Sequence, residues 1–165
     1  MPHPVPPDAS LRAALQGVRG LLLDLDGVLI LKGAAIPGAV EAMNELDRRA
    51  FPYLVVTNTS LVSRGRLAGW GRKVGFTTPV DRFQSALSAS ASIALHVYGD
   101  RPVFVIASAD ARTELTALNV VTGPEVDADP SAVAAVILGD SPDELTKENL
   151  DRAFQAEAAN VAGGA

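Results

Sequence analysis

Short unbroken apolar runs and helix-period apolar stripes follow one another along this chain. The run Leu21, Leu22, Leu23 ends in Asp24, and an unbroken run of that length suits a strand covered on both faces, as in a parallel sheet. After Pro37, Val40, Met43, Leu46 and Ala50 recur at helical spacing, with Glu41, Asn44, Asp47 and Arg48 on the opposite face. That pattern predicts an amphipathic crossover helix. Tyr53 to Val56 supplies a second strand, so the opening reads βαβ, with the right-handed connection such units take.

A weaker helix is predicted through Leu67, Trp70 and Val74, whose spacing puts Trp70 in the core. Gly65, Gly69 and Gly71 weaken it, because each interior glycine costs about 1 kcal/mol relative to alanine. Ser85 to Val97 reads as a third helix with His96 near its end, where a cation suits the helix dipole. A strand at Val103–Ile106, a short helix at Ala111–Leu118, a strand at Val133–Leu138 and a helix at Lys147–Ala158 then spell a second βαβα block. Thr122 to Pro130, with two prolines, is expected to be a surface loop. Ahead of all this, Leu11–Gln16 is expected to be helical and Met1–Ser10, with four prolines, a tail in which His3 has no partner for a metal site. The expected fold class is α/β, a partial Rossmann-like parallel sheet followed by a second α/β segment.

Composition narrows the classes. The 165 residues carry 14 Lys and Arg against 19 Asp and Glu, a net charge of −5, and are 48% hydrophobic with no cysteine. A chain of this size buries roughly 70% of its unfolded surface, enough for a core. The acidic balance gives no general attraction to nucleic acid or anionic membrane, since phosphate backbones are gripped through Lys and Arg. No nucleic-acid or membrane partner is expected, and any phosphate site has to be local. Lack of thiols removes cysteine nucleophiles and thiolate zinc sites and suits the cytoplasm. The N-terminus has neither the basic region nor the apolar run of a signal or anchor.

The residues able to do chemistry gather at predicted strand ends. Asp24 and Asp26 flank Leu25, and residues two apart on an extended chain face the same side. Two like charges so close either share a proton or hold a cation. Gly27 follows, permitting a sharp turn and a close approach of backbone to ligand. If the second strand lies parallel to the first, Thr57 and Asn58 reach the same edge, where open α/β sheets bind ligands. A hydroxyl, an amide and free N–H groups make an anion site. An anion facing two carboxylates needs a cation between them, and Mg²⁺ suits, because it takes one or two carboxylates and shares its other positions with water and phosphate.

These strings carry a resemblance. Leu-Leu-Leu-Asp-Leu-Asp-Gly-Val-Leu at 21–29 and Val-Val-Thr-Asn at 55–58 resemble the first two motifs of the haloacid dehalogenase-like hydrolases, most of which are phosphatases. Gly17-Val-Arg-Gly, Ile36-Pro-Gly-Ala-Val, Ser63-Arg64 and Val74-Gly-Phe resemble the subfamily with a large α/β cap, and residues 138–154 resemble a strand, loop and helix of that cap. After the tail over 1–10, the resemblance implies the N-terminal part of the core over 11–80 and a partial cap over 81–165. It implies Asp24 as nucleophile and Asp26 as general acid and base. Mg²⁺ would be held by Asp24 and by Asp26 through its backbone carbonyl, with phosphate held at Thr57, Asn58 and Gly27.

The expected activity is Mg²⁺-dependent hydrolysis of a small phosphomonoester or pyrophosphate. Two expected parts of such a site are missing, a later lysine and a later acidic pair. No lysine lies between Lys73 and Lys147. The chain therefore reads as the N-terminal portion of a longer phosphatase, impaired in this short form. The alternative is a non-catalytic remnant that serves as a binding or interaction module. A rival placement takes Gly139-Asp140 with Asp143 or Glu144 as the acidic motif and Arg101 or Arg112 for the lysine; otherwise these acids are solvated. An unfinished sheet would leave Val133, Val136 and Ile137 poorly covered, which points to a homo-oligomer.

Overall fold

The computed structural model of the protein describes Ser10, Ala13 and residues 15–163. Residues 1–9 of the expected tail, and Leu11, Arg12 and Ala14 of the expected first helix, lie outside the described residues; Leu15–Gly17 form a turn. The fold is mixed α/β, built on two three-stranded parallel sheets.

The first sheet joins β1 (Leu21–Asp24), β4 (Tyr53–Thr57) and β5 (Phe83–Ser85) in the order β1-β4-β5. Between β1 and β4 come a two-stranded antiparallel hairpin, β2 (Ile30–Leu31) and β3 (Ala34–Ala35), and helix α1 (Ala39–Arg48). The hairpin turns on Lys32 and Gly33, both at positive φ, the backbone that two-residue hairpin loops favour. Helix α2 (Arg64–Lys73) links β4 to β5. Met43 of α1 and Leu67 and Ala68 of α2 pack with Val55, Phe76 and Phe83 in one core, each 3% exposed or less. Each large side chain so buried contributes about 1.5–3 kcal/mol.

The other face of this sheet is only partly covered, with Leu54 and Val56 half-buried. Leu22 is 75% exposed, so β1 is not covered on both sides as its apolar run predicts. Helices α1 and α2 contribute to the core on the side of Tyr53 and Val55, and no strand among the described residues pairs with the outer edge of β1. Helix α2 forms despite its glycines, with the Ser63 side chain capping its N-terminus by accepting the Arg66 N–H. Trp70, expected inside, is 43% exposed; the helix buries its Leu67–Gly71 side and turns the indole outward.

The second sheet joins β6 (Val103–Ile106), β7 (Val120–Val121) and β8 (Ala135–Leu138) in the order β7-β6-β8. Helices α3 (Ala86–Tyr98) and α4 (Ala109–Arg112) supply Leu87, Ala91 and Ala111 to the core on one face. On the other, Val126 of α5 (Gly123–Ala128) and Ala156 of α6 (Lys147–Gly163) pack on Phe104 and Ile106. Sandwiched in this way, Val133 and Ile137 are buried and Val136 is half-buried, so the poor cover expected at these three residues does not occur, while Leu138 at the strand's end is 58% exposed.

Helix α5 also replaces part of the expected loop at Thr122–Pro130. The Glu125 carboxylate accepts hydrogen bonds of 2.7 Å from both the N–H and the hydroxyl of Thr122, a capping box. Strand β5, absent from the sequence reading, extends the first sheet past residue 80 to Ser85. No helix among the described residues is long and apolar enough to cross a membrane.

Candidate functional site

Strand β1 stops at Asp24, where it pairs with Val56 of β4. The chain then bends at Leu25, whose side chain enters the core at 4% exposure while its N–H donates to the Val56 carbonyl at 3.0 Å. This bend, rather than a continued extended strand, carries Asp26 onward. Gly27 follows at φ 83°, a backbone that a Cβ strains. Its N–H donates to the Ile30 carbonyl at 2.8 Å. The sharp turn expected at Gly27 is present, and its amide is engaged within that turn rather than offered to an anion. Asp24 and Asp26 are both exposed.

Strand β4 delivers Thr57 one residue beyond the Asp24–Val56 pair, as the parallel register requires. The Thr57 side chain is buried, and its hydroxyl donates to Asp26 Oδ2 at 3.3 Å while accepting the Thr59 N–H at 3.2 Å. Asn58 stands next to it, exposed. Asp24 and Thr57–Asn58 thus stand at the carboxyl ends of adjacent parallel strands, and the contact that joins the two strand ends is the one from Thr57 to Asp26. Thr59 was not among the residues sequence reasoning singled out; its part here comes through its backbone, which leaves no compositional signal.

The loop after β4 is clasped by the second sheet. Ser108 Oγ donates to the Leu61 carbonyl at 2.6 Å, and the Asp140 N–H donates to Ser60 Oγ at 2.9 Å. Two acidic side chains take up the first amides of α2: Asp110 accepts from Ser63 N–H at 2.8 Å, and Glu114 from Arg64 N–H at 2.8 Å and Arg64 Nε at 2.6 Å. Carboxylates at a helix N-terminus satisfy donors that otherwise have no partner and meet the positive end of the dipole. The Ser63 N–H holds the Asp110 carboxyl below the usual carboxylate range, with Arg66 reinforcing it. These partners lie 47–50 residues apart in sequence, so no local pattern announces them.

The rival acidic motif does not assemble with Asp24 and Asp26. Among the described residues, no three His, Cys, Asp or Glu side chains gather to hold a metal. Asp140 follows β8 in the other sheet, Glu144 pairs with Arg112 at 3.6 Å, and Arg112 donates to the carbonyls of Val105 and Ala107. Arg101 and His96 are exposed, His96 in the last turn of α3.

Comparison with known proteins gives this geometry its place. The family profile described as haloacid dehalogenase-like hydrolase matches residues 21–121. The chain belongs to the haloacid dehalogenase-like hydrolases. Human phospholysine phosphohistidine inorganic pyrophosphate phosphatase is 32% identical over 145 residues, covering 86% of this chain and 49% of that protein. Human chronophin is 35% identical over 144 residues, covering 79% and 47%. Among solved structures, the hypothetical protein PH1952 of Pyrococcus horikoshii superposes with a TM-score of 0.79 at 27% identity, over 86% of this chain and 55% of that one. The haloacid dehalogenase-like chain thus spans about half the length of the curated relatives it matches. The family match begins at Leu21 and so takes in both strand ends of the site.

Proposed function

We propose that the protein is a phosphatase acting on a small phosphomonoester or pyrophosphate, with Asp24 as nucleophile and Asp26 as general acid and base. The observation that carries this reading is the 3.3 Å contact between the Thr57 hydroxyl and Asp26 Oδ2, which ties the two motif-bearing strand ends into one site. A carboxylate oxygen of Asp24 attacks phosphorus as the bond to the leaving oxygen breaks, and Asp26 gives that oxygen its proton. Water then attacks phosphorus, Asp26 takes the water's proton, and the bond to Asp24 breaks to release phosphate. Splitting one hard displacement into two is the advantage of a covalent path. Thr57 and Asn58 hold the phosphoryl oxygens.

Two exposed carboxylates, with no group of three potential acidic, His or Cys ligands among the described residues, suit Mg²⁺, which keeps several waters and binds through one or two carboxylates. They do not make the closed all-protein cage of a structural zinc site. Asp24 and the backbone carbonyl of Asp26 would hold the ion. When bound, Mg²⁺ neutralises the carboxylates and phosphate as they approach. In this reading the first sheet belongs to a core and the second to a cap held over it through Ser60–Arg64.

That no third acid joins Asp24 and Asp26 among the described residues favours a second reading, a module that binds phosphate without turning it over. The test is phosphate release from an aryl phosphate with and without Mg²⁺, in the natural chain and in Asp24→Asn. Mg²⁺-dependent release lost in the variant supports the phosphatase. Binding of inorganic phosphate without release supports the module, and undiminished release by the variant refutes Asp24 as nucleophile.

A further inference from the structure

A cavity of about 460 Å³ opens beside the site, lined by both the β2–β3 hairpin and α2. Asp26 and Thr59 line it from the site; Leu25, Ile30 and Trp70 form apolar walls, and Lys73 is its cation. Two of its lining residues, Trp70 and Lys73, are exposed. The Trp70 indole is 43% exposed, beside a core that buries Leu67 and Ala68. Lys73 is exposed and forms no hydrogen bond or ion pair with any of the described residues. Of the two candidate carboxylates, Asp26 lines the cavity and Asp24 does not.

That asymmetry gives the cavity a direction. An acid that protonates the leaving oxygen has to stand at that oxygen, so whatever departs with it lies on the Asp26 side. The geometry points to this cavity as the leaving-group site of the reaction, taking an alcohol whose body is a flat aromatic ring and whose far end carries an anion such as a carboxylate. The ring lies against Trp70 and the apolar walls, and the anion meets Lys73. Pockets of this size, mainly apolar with a few placed polar groups, are the usual form of small-molecule sites, and aromatic faces favour offset or edge contacts with a ring. Trp70 and Lys73 would thus decide which phosphorylated alcohol is accepted. The assignment of the cavity to a leaving group rests on the phosphatase reading; its preference for an anionic aromatic does not.

Trp70 is the sole tryptophan of the chain, so its fluorescence reports occupancy directly. The full chain, with Mg²⁺, is titrated with 4-carboxybenzylphosphonate, benzylphosphonate and methylphosphonate, none of which has a phosphate ester to cleave. The carboxybenzyl compound is expected to change Trp70 emission and to bind at least tenfold more tightly than methylphosphonate. Lys73→Met should weaken it at least fivefold while leaving benzylphosphonate and methylphosphonate unchanged. Trp70→Ala, followed by calorimetry, should weaken both ring compounds tenfold and methylphosphonate not at all. Equal affinity for all three compounds, or an equal loss for all three in Lys73→Met, overturns the proposal. Should Asp24→Asn fail to abolish aryl phosphate turnover while this binding pattern holds, the phosphatase reading falls and the aromatic anion site remains. Should the pattern fail while Asp24-dependent turnover persists, the site falls and the phosphatase reading remains.

Discussion

Replacing Glu114 by Gln tests whether the second sheet stabilises the loop that leads from Thr57 into α2. The substitution keeps shape but changes donor and acceptor count. In the protein both Glu114 oxygens accept, one from Arg64 N–H at 2.8 Å and one from Arg64 Nε at 2.6 Å. A glutamine has one acceptor oxygen, so its NH₂ faces one of those two donors and that bond is lost. A hydrogen bond to a charged partner contributes about 1.5–3 kcal/mol, and the bond that survives stays charge-assisted if it comes from the guanidinium and drops to about 0.5–1.5 kcal/mol if it comes from the Arg64 N–H. Glu114 is only 9% exposed, which limits screening, but Arg64 is 36% exposed and regains water. Discounted for that exposure, the net loss is about 2 kcal/mol. Urea denaturation followed by far-UV circular dichroism should show it directly, with a melting temperature lower by about 4–8 °C. A loss under about 0.5 kcal/mol, the range of an ordinary surface substitution, would refute the claim that this clasp stabilises the fold.

Thr57→Val removes a hydroxyl that both donates to Asp26 and accepts from Thr59. It should cost about 1–3 kcal/mol in urea denaturation through the orphaned Thr59 amide and abolish measurable phosphate release, whereas Thr57→Ser should retain both. The Asp110 carboxyl titrates below its ordinary 3.8 in the folded protein, so the folded state binds that proton less readily than the unfolded chain. Its stabilisation is complete above about pH 4–5 and is lost as pH falls through the depressed folded value; the gap in urea midpoint between the natural chain and Asp110→Asn should therefore be wide at pH 7 and close in strong acid.

The strands were legible where an apolar run ended in a chemistry-bearing residue. Leu21–Asp24 and the strand leading to Thr57 stand where the pattern puts them, because a run that short has little other way to bury itself. Strand β5 leaves no signature in the sequence, since three residues, Phe83–Ser85, carry no period. Helix α5 was readable in principle from Thr122 and Glu125 at capping-box spacing, a local signal outweighed by two prolines. The outward turn of Trp70 could not be read, because helical spacing places residues on a face without saying whether anything lies opposite it. The contacts of Ser108, Asp110 and Glu114 with the loop after β4 depend on how two sheets sit together, which residue order does not encode locally. At the site, residue types and strand ends were foreseeable; that Gly27 turns the chain with its amide already engaged required coordinates.

The bare flank of β1 has a practical consequence. A parallel strand with an unoccupied hydrogen-bonding margin, and beside it a leucine facing water, is a template on which another extended segment can align. Leu22 lies between Arg19 and Asp24, the nearest charged residues in sequence, which leaves this stretch with modest electrostatic protection. Concentrated solutions should therefore self-associate through this margin, and a lysine in place of Leu22 should keep the protein dispersed without disturbing the buried side of the sheet, since the leucine contributes nothing there.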